Sequence, residues 1–297
     1  MTKPAIGMIG VGLMGHGIAW NIAAKGHALS VLDHPGNQPV DDLRAMGVAV
    51  RGSIAEVVAA SDIVLLCVTG SPQVESILDG QGGVVSHLRP GMTVVDCSTA
   101  MPDSTLRMAA LVQQKGGRWL DAAMTRLPQH ARAGTLNLLV GGEAALLDEL
   151  RPVLACFSEN ITHVGGIGAG HRMKLLHNTI SLGFMALLAE VSAHAQRAGI
   201  APEILIDVLE KGGGGGAALS RMAPFLLTGD PSAVPFFIGN AAKDLGYYRA
   251  TAAASGADHA IADAIGQTLD AVVADGHGAR FVPELAALLA ARPPAAA

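Results

Sequence analysis

A chain of 297 residues in which half of the side chains are hydrophobic and 15% are charged can bury a substantial core without disulfide or metal staples. Twenty basic residues against 25 acidic ones give a net charge of −5, and ten aromatics are too few for a stacking groove, which argues against a nucleic-acid binder. Cys67, Cys97 and Cys156 are odd in number and lie far apart in apolar segments, so neither a disulfide framework nor a zinc cluster is expected and a cytoplasmic home is.

The first 25 residues pose a choice. The 21 residues between Lys3 and Lys25 carry no formal charge, a length that suits an export signal or a membrane span. Gly7, Gly10, Gly12, Gly15, Gly17, His16 and Asn21 interrupt that run, and an export segment has no use for them. Strand, turn and helix fit better: an apolar strand over 5–9, a turn over 10–12 and a helix over 14–25 closed by Gly26, which suits a left-handed cap. No membrane partner is expected.

Alternation then continues. Strands are expected at 29–32, 48–50, 62–68, 93–96, 118–121, 135–140 and 160–164, separated by helices at 41–46, 53–60, 72–78, 102–115 and 143–155. Several of these strands are continuous apolar runs rather than alternating ones, the mark of a parallel sheet covered on both faces. Past residue 165 the pattern changes to a long helix over about 171–198 and then helices over 202–210, 217–227, 238–254, 258–274 and 282–291. The expected organisation is a doubly wound α/β domain over 1–165, joined by the long helix to an all-helical domain over 166–297. Gly212 to Gly216 reads as a flexible connector, with a close backbone approach to a ligand as the other reading. The tail 293–297 is expected to fray.

Gly10-Val-Gly12-Leu-Met-Gly15 follows a strand and opens a helix, the setting in which such glycines bind a dinucleotide. The first glycine permits the turn, the second lets backbone approach a pyrophosphate, and the third lets helix pack on strand, with the helix N-terminus favouring the anion. Asp33 lies 23 residues after Gly10, at the end of the second strand, where a carboxylate can accept the ribose 2′-hydroxyl and would repel a 2′-phosphate. NAD is therefore expected ahead of NADP. A solvated turn residue is the plainer reading of Asp33.

With these residues placed, the chain resembles the β-hydroxyacid dehydrogenases, the family of 3-hydroxyisobutyrate dehydrogenase and tartronate semialdehyde reductase. Four separated motifs carry the resemblance: Ile9 to Gly15; Asp96-Cys-Ser-Thr99 followed by Pro102; Gly168-Ala-Gly-His-Arg-Met-Lys-Leu-Leu-His-Asn178; and Phe236 with Lys243-Asp-Leu245. The resemblance implies a Rossmann domain plus a helical domain, with substrate in the cleft between them, Lys174 as catalytic acid/base and Asn178 as an orienting amide. It further implies cofactor contacts from Gly10, Gly12, Leu13, Met14, Gly15, Val68, Thr69, Gln73, Thr99 and Lys243. Asp244 and Phe236 are implied near the substrate.

Two features depart from that pattern. His177 stands where relatives often carry asparagine, and Lys174-x-x-His-Asn resembles the sister group of 6-phosphogluconate dehydrogenases; His177 is either a substrate hydrogen-bonder or a packing histidine. Most members read Asp-Ala-Pro-Val-Ser-Gly-Gly where this chain has Asp121-Ala-Ala-Met-Thr-Arg-Leu127. Thr125 keeps a hydroxyl, two glycines are lost, and Arg126 supplies a guanidinium fork for a carboxylate or, as in the sulfolactaldehyde reductases of the family, a sulfonate. Arg126 facing solvent is the plainer reading. His163, His171 and His177 do not form a ligand set, so no metal is expected.

The function expected is hydride transfer between NAD and a small anionic β-hydroxy acid or its semialdehyde, by a homodimer or homotetramer. The alternatives are a cofactor-holding interaction module that has lost catalysis, and an imine- or phosphosugar-acting relative; Lys174 and Asn178 together argue against the first, and the lysine against an imine substrate.

Overall fold

A computed structural model describes residues 3–293, leaving residues 294–297 of the tail expected to fray outside the description. The chain divides into two compact units, Met1–Lys174 and Leu175–Ala297.

The first unit alternates strand and helix: β1 (Ile6–Ile9), α1 (Gly15–Ala24), β2 (Leu29–Leu32), α2 (Asp41–Ala45), β3 (Ala49–Arg51), α3 (Ile54–Ala59), β4 (Ile63–Leu66), α4 (Ser71–Asp79), α5 (Val84–His87), β5 (Thr93–Asp96), α6 (Pro102–Gln114), β6 (Arg118–Thr125), α7 (Pro128–Ala133), β7 (Leu136–Gly142), α8 (Ala144–Leu154) and β8 (Ser158–Gly165). The eight strands form one sheet in the order β3-β2-β1-β4-β5-β6-β7-β8. Pairing is parallel throughout except between β6 and β7. The uncharged N-terminal stretch is thus a central strand and the helix after it, with Ile6, Met8, Ile18 and Ile22 fully buried.

Two cores cover the two faces of this sheet. One gathers Ile6, Met8, Val31, Leu65, Leu120, Leu138 and Phe157 under α1 and α8; the other gathers Ile9, Val64, Leu66, Val94, Met108 and Trp119 under α3 and α6. Successive side chains of a strand point to opposite faces, so the apolar run Ile63–Leu66 and the pair Val94 and Val95 feed both cores at once. The order reverses between β1 and β4, which opens a crevice beyond the carboxyl ends of those strands.

Some elements differ from the sequence-based expectation. The sixth strand does not stop at residue 121: antiparallel pairing to β7 carries it on, with Thr125 opposite Asn137. Single-turn α5 and six-residue α7 were not expected, being too short to show a helical period. The eighth strand reaches from Ser158 to Gly165, longer than the apolar residues alone suggest.

The long helix α9 (Ala169–Arg197) crosses the boundary of the two units. It is long and apolar enough to span a membrane, yet half of its most apolar window is buried within the protein, as in a core helix. The second unit continues with α10 (Pro202–Lys211), α11 (Ala217–Thr228), α12 (Ile238–Ser255), α13 (Ala260–Val272) and α14 (Leu285–Ala290). Gly212 to Gly216 links α10 to α11. The helices expected over 258–274 and 282–291 are each broken. A π turn at Val273–His277 contains Gly276 at φ 87°, and the 3-10 turn Val282–Glu284 precedes α14.

Candidate active site

The glycine turn is shaped by contacts that only glycine permits. Gly10 has φ 97°, and a Cβ there would stand 2.3 Å from the Cys67 carbonyl oxygen; a Cβ on Gly15 would stand 2.0 Å from the Gly10 carbonyl oxygen. Gly12 is different. A Cβ there would meet nothing nearer than the Gly36 carbonyl oxygen at 3.9 Å, so its bare backbone faces open space at the start of α1. A phosphate can approach that surface directly, and the turn fits a dinucleotide.

A residue that sequence reasoning passed over holds this turn against β2. Asn37 accepts the Val11 N–H at 3.1 Å and donates to the Leu32 carbonyl at 2.8 Å, while the Gln38 N–H donates to the Val11 carbonyl at 2.8 Å. Asp33 is thereby fixed beside the glycine turn, its own N–H donated to Arg51 and its carboxylate exposed, free to meet a ribose. Leu13 is exposed and Met14 half-buried at the same turn.

The loops after β4 and β5 are tied together on the neighbouring side. The Val68 N–H donates to Ser98 Oγ at 3.0 Å, and the Ser98 N–H donates to Asp96 Oδ1 at 2.9 Å. Val68 and Thr99 are half-buried, and Thr69 and Gln73 exposed, around the start of α4. Burial pushes the Cys67 thiol up to about 12 and raises that of Cys97 well above its ordinary value, so neither is a ready thiolate nucleophile.

Thr125 closes β6, buried, its hydroxyl oxygen accepting from Asn137 Nδ2 at 3.1 Å. Arg126 then adopts φ 80°, the one left-handed residue other than glycine among those described. Its guanidinium, expected to face an anion or solvent, is held by the Thr135 carbonyl and by the Glu159 carboxylate at 2.5 Å. A left-handed arginine costs some strain, and the side chain ties the residue before β7 to β8.

At the start of α9 the Gly168 and His171 N–H groups donate to the fully buried carboxylate of Asp121, at 2.7 and 3.0 Å. His171 is also fully buried, with Nδ1 2.6 Å from Thr105 Oγ1. Lys174, half-buried, follows three residues later. His163 bonds instead to the Gly142 carbonyl, and among the described residues no group of three or more His, Cys, Asp or Glu could hold a metal.

In the second unit, Asn178 donates its amide to Asp244 Oδ2 at 2.6 Å, and Lys243 Nζ lies 2.7 Å from Asp244 Oδ1 and 4.8 Å from the centre of the Tyr247 ring. His177 Nδ1 lies 3.0 Å from Asn178 Oδ1. Both Asn178 and Asp244 are buried. Phe236 is half-buried and its carbonyl accepts the Val282 N–H, next to the stacked pair Phe237 and Phe281. A buried carboxylate held between an amide and an ammonium can orient a polar substrate.

The fold and the glycine turn define a dinucleotide-binding protein. Residues 5–165 match the NAD binding domain of 6-phosphogluconate dehydrogenase and residues 168–289 the NAD-binding model of NADP-dependent 3-hydroxyisobutyrate dehydrogenase. A 2-(hydroxymethyl)glutarate dehydrogenase of Eubacterium barkeri is 34% identical over 81% of this chain and 78% of its own. A 2-hydroxy-3-oxopropionate reductase of Escherichia coli is 35% identical over 73% of this chain and 72% of its own. Among solved structures, the Mycobacterium tuberculosis 3-hydroxyisobutyrate dehydrogenase with L-serine superposes with a TM-score of 0.86 at 27% identity, covering 98% of this chain and all of that one. The chain belongs to the β-hydroxyacid dehydrogenase family, and it is an NAD-dependent hydroxyacid oxidoreductase acting on a CH–OH group.

Proposed function

We propose that the protein interconverts a small β-hydroxy acid and its semialdehyde, with Lys174 as general acid/base. The observation that carries this reading is one helix face: Lys174 and Asn178 are four residues apart on α9, so their side chains project to the same side, and Asn178 is already oriented by Asp244. The residues that would hold NAD are Gly10, Gly12, Leu13, Met14, Gly15, Asp33, Val68, Thr69, Gln73, Thr99 and Lys243. When bound, the nicotinamide supplies the acceptor or donor of the hydride.

Lys174 takes the hydroxyl proton in oxidation and returns it in reduction. Asn178 offers its amide to the reacting oxygen, while Asp244 and Lys243 hold that amide in place. Thr125 donates its hydroxyl to the substrate's anionic group; Phe236 supplies an apolar wall. His177, held beside Asn178 by the hydrogen bond between them, meets a further polar group of the substrate. Arg126 keeps the turn after Thr125 in its left-handed shape, and its fork faces an acidic group, Glu159 here and the substrate anion in the complex.

The relatives named above act on a hydroxymethylglutarate and a hydroxy-oxopropionate, both hydroxy acids with a small carbon skeleton. Assaying the purified protein with NAD and NADP against a panel of β-hydroxy acids, L-serine and sulfonate analogues tests this reading. Turnover of at least one β-hydroxy acid with NAD is expected. Tight NADH binding with no turnover of any would contradict it.

We also place the enzyme in the cytoplasm, because its reduced cysteines and NAD chemistry suit that compartment. It assembles as a homodimer or homotetramer: Leu176, Ile180, Phe184, Leu187 and Val191 are exposed at a helical spacing on α9, with Ile180 64% accessible. Sedimentation should show no monomer at micromolar concentration.

A further inference from the structure

Around the first turn of α9 lies a buried polar set that the proposed proton transfer does not use. Asp121, in the middle of β6, is fully buried, and its two carboxylate oxygens divide their bonds: Oδ1 accepts from Gly168 and Oδ2 from His171. Gly168 immediately precedes the helix and His171 is its third residue, so one carboxylate satisfies two amides that the helix itself cannot. The charge also sits at the positive end of the helix dipole, where bonds to an anion are stronger than neutral ones.

The carboxylate has no room to drift. A Cβ on Gly141 would stand 2.6 Å from Asp121 Oδ2 and 2.7 Å from the Gly170 nitrogen; one on Gly170 would stand 2.4 Å from the Leu139 carbonyl oxygen and 2.7 Å from Asp121 Oδ2. The helix start is therefore pressed against β6 and β7 with Asp121 fenced between two glycines. His171 braces the same turn from the side, through Thr105 on α6 and by facing Asp96 Oδ2 at 3.8 Å on β5. Lys174 is three residues on, about 4.5 Å farther along the helix axis.

We propose that Asp121 is a positioning residue for Lys174: its carboxylate locks the first turn of α9 to the sheet and so fixes where the lysine amine stands relative to substrate. The inference rests on the acid/base role proposed for Lys174. Asp121 does not touch substrate; it acts through the Gly168 and His171 amides. Proton transfer and hydride transfer both depend on geometry at the ångström scale, so loosening this turn slows the reaction without removing any reacting group.

The test is Asp121→Asn. Asparagine keeps the size but offers one oxygen and one NH2 group, so one of the two helix amides faces a donor and the charge at the helix start is lost. The readouts are the NADH dissociation constant and the single-turnover rate constant of NADH oxidation with semialdehyde in excess, which does not depend on the fraction of active protein. A fall of at least tenfold in that rate constant is expected, with NADH affinity within twofold of the wild type. A wild-type rate constant in the variant would overturn the proposal, as would a loss confined to the number of NADH sites, which marks a purely structural role. If Asp121→Asn does not fold, Thr105→Val carries the test, since it withdraws only the hydroxyl that braces His171; a smaller fall in the rate constant, about threefold, is expected, and an unchanged one overturns the proposal. A wild-type enzyme that binds NADH but oxidises it with no substrate would instead overturn the functional reading beneath it.

Discussion

The side-chain amide of Asn178 lies 2.6 Å from Asp244 Oδ2, and the other oxygen of that carboxylate lies 2.7 Å from Lys243 Nζ. Three residues from two helices, α9 and α12, thus form a chain of charge and dipole around a buried carboxylate 2% exposed. Removing the charge from the middle of this chain should matter more than removing either end. Asp244→Ala takes one acceptor from both the Lys243 ammonium and the Asn178 amide, a loss on the order of 1–3 kcal/mol. A fall in kcat of about tenfold or more is expected, together with a lower Tm. Unchanged kcat in the folded variant would show that Asn178 does not depend on Asp244 for its orientation.

Asp33 should decide affinity for the cofactor. Its exposed carboxylate is held next to the glycine turn by the loop that Asn37 clamps to Val11 and Leu32. Replacing it with alanine removes a charged acceptor of about 1.5–3 kcal/mol, which corresponds to at least a tenfold rise in the NADH dissociation constant. The same change removes the repulsion of a 2′-phosphate, so NADPH should bind no worse, or better, than to the wild type. Isothermal titration with both cofactors reads the two effects separately. Equal weakening toward both would assign Asp33 to the fold of the loop rather than to the ribose.

Asn37 gives a stability counterpart. Its side chain supplies one acceptor and one donor to backbone groups on separate strand ends, and Asn37→Ala strands both. The expected cost is about 1–3 kcal/mol in unfolding by urea. NADH binding should weaken too, because the glycine turn loses its brace. A variant as stable as the wild type would mean that water replaces the asparagine at no cost.

Asp96 makes stability depend on pH. Burial raises the pKa of its carboxyl above the ordinary value, opposed chiefly by the nearby His171 and the bonds from Ser98. An acid whose folded pKa is raised holds its proton in the native state after the unfolded chain has lost it. Native stability therefore declines as pH rises from about 4, the ordinary carboxyl range, toward the raised pKa, and its full contribution is present only below that window. Asp96→Asn retains an oxygen for the Ser98 N–H and cannot titrate. Measured by thermal unfolding between pH 4 and 7, the Tm of Asp96→Asn minus that of the wild type should grow with pH. A constant difference would contradict the buried-acid account.

What the sequence disclosed, and what it hid, follows from the range of the interactions. Gly10 to Gly15, Asp33 and the long helix announce themselves through local spacing, because turn geometry and helical period are properties of neighbouring residues, whereas Lys174 and Asn178 on that helix are marked by the family resemblance. Asp121 and Asn37 act through partners 47 and 26 positions away, and no local pattern marks such bonds; the resemblance points to Asp244, but not to its bond with Asn178, 66 positions away. Arg126 shows a different limit. Its chemistry suggests an anion receptor, while its left-handed backbone and its ion pair with Glu159 depend on strands that fold around it and leave no mark on the local sequence. The extension of β6 to Thr125 likewise arises from pairing with β7, not from the apolar content of the segment.

Lys174→Ala is the most direct measurement of the central claim. Purified variant and wild type are compared for NADH affinity by titration and for turnover of the best β-hydroxy acid found in the panel. Removing a general acid/base while leaving the dinucleotide turn intact should lower turnover by about 10²- to 10⁴-fold with the NADH dissociation constant within twofold. A variant that keeps more than about a tenth of wild-type turnover would contradict the assignment of Lys174, since that loss is far smaller than a positioned acid/base supplies.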